Sequence, residues 1–160
     1  MNATALIDLY KARGMTLATA ESCTGGLVAA ALTAVPGSSA VFTNGLVTYA
    51  NEAKAKLLGV PQATLAEHGA VSAQVAKAMA EGARRCTGTD AAISVTGIAG
   101  PGGGSPEKPI GTVWFGLATA KGSFAEHQLF TGTRDEIRAK AVAYALGLAS
   151  RAANPEGQST

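Results

Sequence analysis

The sequence predicts an α/β fold: a single layered domain in which a mixed β-sheet is flanked by helices. Three observations predict it. Helical and extended segments alternate along nearly the whole chain, the pattern of layered α/β domains. The length, 160 residues, suits one compact domain that buries a sizeable core without disulfides or a metal. Late in the chain, two strands joined by a short turn add antiparallel pairing to the parallel pairing that alternation favours, so the sheet is mixed.

The first helix carries Leu6, Leu9, Tyr10 and Arg13 on one face, and Gly14 supplies its stop. Met15–Ala20 reads as a short strand and Glu21–Gly26 as a turn. Leu27–Val35 reads as a buried helix, broken by Pro36-Gly37-Ser38-Ser39. Val41–Tyr49 alternates apolar and polar residues around Gly45, as a strand does. Asn51 caps a short helix that runs to Leu58 and is closed by Gly59. Ser72 caps another, with Val75, Met79, Ala83 and Cys86 along one stripe. Ala91–Val95 looks like a buried strand, followed by the glycine-rich segment Gly97–Ser105. Strands near Gly111–Thr119 and Ser123–Phe130 flank a hairpin turn at Lys121-Gly122. Thr133-Arg134-Asp135-Glu136 has capping-box spacing. It opens a last helix whose Ile137, Ala141, Tyr144, Ala145 and Leu148 face the core. The folded unit is expected over 1–152, with a frayed tail at 153–160.

Composition narrows the function. Charged residues are 15% and hydrophobic residues 47%, which excludes a disordered chain. The net charge is +2 and aromatics are 5%. Nucleic-acid binders carry basic stripes with stacking aromatics, so no nucleic-acid partner is expected. No apolar run approaches the ~20 residues that cross a bilayer, so no membrane partner is expected either. Asp8 and Lys11 interrupt the amphipathic start, which is therefore not a signal peptide. Cys23 and Cys86 make neither a disulfide framework nor a zinc set, and the cytoplasm is the expected location. His68, in a loop, and His127, in a strand, lack ligand spacing, so no metal site is expected.

Three loops leave predicted strands: Glu21–Gly26, Tyr49–Lys54 and Thr96–Ser105. Ligands of open α/β sheets bind beyond the carboxyl ends of the strands, where such loops converge. In the first, Ser22, Thr24, Gly25 and Gly26 stand at a strand-to-helix turn whose free N–H groups could hold an oxyanion or a phosphate. Taken in isolation, Ser22 or Thr24 reads first as a plain N-cap. Cys23 competes as nucleophile, although no histidine is near it in sequence and small buried cysteines usually serve packing. In the second loop, with Asn51 as N-cap, Lys54 falls at N3, where the positive helix terminus disfavours a cation and lowers its pKa. A lysine base near neutrality must fall from ~10.4 to about 7–8, which needs burial or a second cation besides the dipole. Tyr49, at the strand end, could relay a proton between Lys54 and Ser22; an exposed Lys54 and a core Tyr49 are the alternative. Thr96, Gly97 and Gly100 begin a segment that fits no standard phosphate loop. That segment is either a surface loop or a close ligand contact. Arg134 and Arg138 lie four apart in the first turns of the last helix, where cations oppose the dipole. A phosphate-bearing ligand or a solvated surface explains them.

Four blocks, in order, carry a resemblance. They are Ala20-Glu21-Ser22-Cys23-Thr24-Gly25-Gly26, Val47-Thr48-Tyr49-Ala50-Asn51-Glu52-Ala53-Lys54, His68-Gly69-Ala70-Val71-Ser72, and Thr96-Gly97-Ile98-Ala99-Gly100-Pro101 through Lys108-Pro109-Ile110-Gly111-Thr112-Val113. Together they resemble the C-terminal domain of the CinA (competence/damage-inducible) family over about residues 3–150. Stand-alone domains of that family are nicotinamide-nucleotide amidohydrolases, which convert nicotinamide mononucleotide and water to nicotinate mononucleotide and ammonia. The resemblance implies Ser22 as nucleophile, Lys54 and Tyr49 completing a Ser-Lys-Tyr arrangement, and Thr96 in the site. Substrate contacts are expected from Thr24, Gly25, Gly26, Gly97, Gly100 and either Arg134 or Arg138. The expected partner is a small-molecule nucleotide, with no cofactor, and the expected assembly is a homo-oligomer. Two rivals stand beside this reading: a non-catalytic nucleotide-binding module, and a partner-binding domain acting in DNA uptake or damage responses.

Overall fold

A computed structural model describes residues 1–154. Helix α1 (Ala3–Arg13) leads into β1 (Leu17–Glu21), followed by α2 (Leu27–Thr33), a single 3₁₀ turn at Ser38–Ala40, and β2 (Phe42–Val47). Helices α3 (Asn51–Leu58), α4 (Gln62–His68) and α5 (Ala73–Thr87) come next. Strands β3 (Ala91–Gly97), β4 (Thr112–Thr119) and β5 (Gly122–Leu129) then precede α6 (Arg134–Ala153). The sheet runs in the order β2-β1-β3-β4-β5. Strand β1 pairs in parallel with both β2 and β3, whereas β4 and β5 are antiparallel additions. The mixed sheet of the sequence reading is therefore observed, with helices on both faces.

Alternation along β1 divides the core. Leu17 joins Leu6, Ile7, Tyr10, Leu32, Ile93, Phe115 and Ile137 on the face covered by α1, α2 and α6. Ala18 and Ala20 turn to the other face, against Leu58 of α3 and Val75, Met79 and Ala83 of α5. Small residues set the spacing there. A Cβ on Gly82 would meet the Leu58 carbonyl oxygen at 1.9 Å, and one on Gly116 would meet that of Ala76 at 2.2 Å. Helix α5 thus lies directly on the backbone of its neighbours, and it seats the end of α3. On the opposite face, the buried Tyr10 hydroxyl donates to the Ala149 carbonyl at 2.7 Å, tying α1 to α6.

Several local expectations need correction. On α1, Ile7 is buried while Leu9 is only half-buried and Arg13 is exposed, so the stripe is one residue narrower and rotated. Helix α2 buries only Val28 and Leu32, because it lies at the sheet's margin with one side in solvent. His68, expected in a loop, is instead the last residue of helix α4, to which the sequence reading assigned no element; no residue of it is buried, so no strong hydrophobic period marked it. Cys86 is exposed, and Gly82 takes the corresponding place on the buried stripe of α5. The hairpin turns at Ala120-Lys121, one residue earlier than expected. Helix α6 carries the anticipated capping box and continues through Ala153. Residues 155–160 of the expected tail lie outside the described part. Among the described residues no helix is long and apolar enough to cross a membrane.

The strand order brings the predicted loops to one edge of the sheet. Connections leave β1 toward β2 on one side and, after β2, return to β3 on the other, so the carboxyl ends of three adjacent parallel strands open onto one place. In register, Glu21 stands between Val47 and Val95. The three predicted loops begin immediately beyond.

Candidate active site

Ser22 is the first residue past β1, and its amide donates to the Val95 carbonyl at 2.9 Å, which continues the β1–β3 ladder by one step. Its side chain emerges on the α3 face. There Lys54 Nζ lies 3.0 Å from Ser22 Oγ. Nζ also donates to the carbonyls of Thr48, at 2.9 Å, and Tyr49, at 3.1 Å. Carbonyl oxygens only accept, so two of the lysine's N–H bonds are spoken for. The third position on nitrogen faces the seryl oxygen, either as an N–H or as the lone pair of a neutral amine.

Lys54 is 1% exposed. Burial removes the water that stabilises an ammonium and pushes its pKa below the ordinary lysine value. The structure puts Lys54 at N4, with Ala50 in the N-cap position and Asn51 as the first helical residue, a shift of one from the sequence reading. The helix terminus is thus a turn away, and burial is the largest cause of the lowering.

Tyr49 departs from the relay that its position suggested. Its ring is 64% exposed, and its hydroxyl accepts from Arg134 Nη2 at 3.4 Å. Only its backbone carbonyl reaches Lys54. The seryl–lysyl contact is direct, without a phenol between the two groups.

The turn after Ser22 is held from two sides. The carboxylate of Glu21, 1% exposed, accepts from the amides of Val28 at 2.8 Å and Ala29 at 3.1 Å. It therefore occupies the start of α2, and the helix's own N–H groups are not the free anion site that the sequence suggested. Gly25 and Gly26 both adopt positive φ, 58° and 105°, which lets the chain fold back into the helix. The Gly25 amide donates to the Ser22 carbonyl and that of Leu27 to the Thr24 carbonyl, both at 3.0 Å. Among the described residues, the amides of Cys23, Thr24 and Gly26 find no backbone carbonyl. Thr24 Oγ1 is likewise buried without a partner. Cys23 is buried beside them, and burial raises its thiol to about 11, so it stays protonated near neutrality.

The remaining expected residues fall around this centre. Thr96, 1% exposed, stands one residue beyond the carbonyl that Ser22 binds, and its hydroxyl donates to Ala70 at 2.9 Å. Gly97 and Gly100 have packing reasons to be glycine, since a Cβ would meet Val113 Cγ2 at 2.7 Å and Ile110 Cγ2 at 2.6 Å respectively. Arg134, exposed at the start of α6, donates to the Gly100 carbonyl at 2.9 Å and so bridges the glycine-rich loop to Tyr49. Arg138, half-buried, donates instead to the carbonyls of Cys23 at 3.0 Å and Thr24 at 3.4 Å. Reasoning from sequence missed Glu21, although an acid shortly before a helix is a recognisable dipole partner. It also missed the Thr48 carbonyl, which no side-chain pattern could reveal.

Comparison with known proteins adds a further line. A family model described as the CinA C-terminal domain matches residues 2–153. The CinA-like protein of Geobacter metallireducens is 62% identical over 135 residues, which cover 84% of this chain and 33% of that protein. With that relative and two others like it, the chain spans only 33% to 36% of the relatives' length. The nicotinamide-nucleotide amidohydrolase PncC of Escherichia coli K12 is 57% identical over 137 residues, 85% of this chain and 83% of that protein. Among solved structures, a competence/damage inducible protein from Agrobacterium tumefaciens superposes with a TM-score of 0.91 at 45% identity, covering 94% of this chain and 92% of that one. A CinA superfamily protein from Klebsiella pneumoniae does so with a TM-score of 0.90 at 40% identity, covering 95% and 96%.

Proposed function

Because this chain belongs to the family of CinA C-terminal domains, we propose that it is a nicotinamide-nucleotide amidohydrolase working through a serine–lysine pair. The substrate is nicotinamide mononucleotide and the products are nicotinate mononucleotide and ammonia. One observation carries the mechanism: the 3.0 Å contact between Lys54 Nζ and Ser22 Oγ at a buried lysine.

In its neutral form Lys54 points two N–H bonds at the Thr48 and Tyr49 carbonyls and its lone pair at Ser22. It takes the seryl proton as Oγ attacks the carboxamide carbon. The carbonyl π pair moves to oxygen, and the free amides of the turn after Ser22 receive that charge; one such donor typically contributes about 3–4 kcal/mol. The two carbonyl acceptors also stabilise the ammonium that forms. Lys54 then returns its proton to the departing nitrogen, the C–N bond breaks, and ammonia leaves. Water attacks the acyl-enzyme as Lys54 takes its proton; the C–Oγ bond then breaks with Lys54 returning that proton to Ser22 Oγ, and the acid released ionises to the carboxylate. Tyr49 takes part through its carbonyl rather than as a relay.

Arg134 is the candidate for the 5′-phosphate. Its guanidinium is exposed at the rim of the proposed site, and its present partners are a carbonyl and a phenol, both neutral. A phosphate dianion is a stronger acceptor than either. Thr96 borders the proposed site on the β3 side.

The test is ammonia release from nicotinamide mononucleotide, nicotinamide riboside and free nicotinamide by the purified protein. Release from the nucleotide, weaker with the riboside, is expected. A protein that binds the nucleotide without releasing ammonia would instead be a non-catalytic nucleotide-binding module.

A further inference from the structure

We infer that Arg138 is the positioning residue of the oxyanion site: it turns the Cys23–Thr24 peptide so that the Thr24 N–H faces the substrate oxygen on which charge develops as Ser22 attacks. The inference rests on the reading of Ser22 as an acylating nucleophile, and it gives the two arginines of α6 different tasks.

The geometry comes from the planarity of the peptide. In a trans peptide the C=O and N–H point in opposite directions. Arg138 Nε holds the Cys23 carbonyl at 3.0 Å, so the N–H of the same unit, which belongs to Thr24, points away from Arg138. Helix α6 packs on the α1 and α2 face of the sheet, while Ser22 Oγ meets Lys54 of α3 on the opposite face. The Thr24 N–H is thus directed off the α6 side, and the inference places the substrate oxygen of the Ser22 adduct there.

What is left unpaired agrees with this assignment. The amide of Ser22, a common oxyanion donor in other serine hydrolases, is consumed by the Val95 carbonyl. Those of Val28 and Ala29 are consumed by Glu21. The amides of Cys23, Thr24 and Gly26 find no backbone carbonyl, and of these three residues Thr24 also carries a wholly buried hydroxyl with no partner. A residue with no exposure and two unsatisfied polar groups is costly unless a ligand supplies the acceptor. Oxygen charge developing at the Ser22 adduct is such an acceptor.

The second hydrogen bond, from Arg138 Nη2 to the Thr24 carbonyl at 3.4 Å, makes the grip two-pronged. A guanidinium can hold two successive carbonyls from fixed positions, whereas an ammonium on a flexible stem cannot reproduce that spacing. With Nε and Nη2 engaged on backbone and the side chain half-buried, Arg138 is assigned to this grip, and the exposed Arg134 to the phosphate.

Two assays on wild type, Arg138→Gln and Arg138→Lys separate these roles. The first measures kcat and KM for nicotinamide mononucleotide. The second measures the rate at which a fluorophosphonate modifies Ser22, by intact mass; there Oγ bonds to phosphorus, fluoride leaves, and the phosphoryl oxygen needs the same donors. We expect kcat to fall about 100-fold in Arg138→Gln with KM unchanged. The modification rate should fall in parallel, and Arg138→Lys should remain impaired despite its retained charge. Thermal melts verify folding, and Arg138→Lys supplies the answer if the glutamine variant does not fold. A raised KM with kcat and modification rate intact would make Arg138 a phosphate ligand and overturn the inference. Equal modification rates in all three proteins would overturn it too. If wild type releases no ammonia from the nucleotide but its modification still depends on Arg138, the substrate reading fails and the positioning role stands.

Discussion

Glu21 Oε1 accepts the amide hydrogen of Val28 at 2.8 Å, so a buried carboxylate directly before the proposed nucleophile closes the helix that follows it. Together with Arg138 on the adjacent carbonyls, it makes the turn at Ser22 a fixed structure before any substrate arrives. Glu21→Gln keeps the size but gives one helix amide an NH₂ group in place of an acceptor. The variant should lose about 1–3 kcal/mol of stability, read from the denaturant midpoint.

Ser22→Ala removes the oxygen proposed to attack and leaves the ladder bond of its amide untouched. Ammonia release should fall by at least about 10³-fold, with binding of the nucleotide retained by calorimetry. Turnover close to wild type would remove Ser22 from the mechanism.

Lys54 links activity to pH. In the proposed mechanism the working form is the neutral amine, so kcat/KM should rise with pH through the pKa of Lys54. Burial places that inflection below the ordinary lysine value of ~10.4. In Lys54→Met this limb should vanish and the rate should drop about 10²–10⁴-fold. Stability follows the same equilibrium. A lysine with a lowered folded pKa binds fewer protons folded than unfolded, so folding is disfavoured below the folded value. The cost disappears as pH rises through the window to ~10.4. Wild type should therefore gain stability relative to Lys54→Met as pH is raised across that window, measured by thermal melts.

Gly82→Ala tests how α3 is seated. The added methyl would lie 1.9 Å from the Leu58 carbonyl oxygen, a contact with backbone that cannot rotate away. We expect a loss of about 1–3 kcal/mol from overpacking. Activity should also fall, because α3 carries Lys54 four residues before Leu58.

Much of this was legible in the residues. Capping at Ser72 and Thr133 and the glycine stops at Gly14 and Gly59 marked four helices, because these signals are local. Lys54 stood out as a cation in the first turns of a helix. Its burial did not, since that depends on α5 pressing the end of α3 onto the sheet. Helix α4 escaped notice because it buries nothing. The direction of Tyr49 was hidden for a similar reason. A side chain at a strand end can turn either way, and only the position of Arg134, 85 residues distant, selects the outward one. The division of labour between Arg134 and Arg138 is likewise a matter of which carbonyls they meet.

The antiparallel half of the sheet has a practical consequence. Thr112 begins β4 beside the proposed site, and Thr119 ends it opposite Ala91, at the far end of β3. Some seven residues of strand, roughly 23 Å, thus separate the Ala120-Lys121 hairpin from Ser22. That hairpin is a natural handle: a surface tether, dye or fused peptide attached there would leave the end of the molecule that carries the proposed site facing open solution.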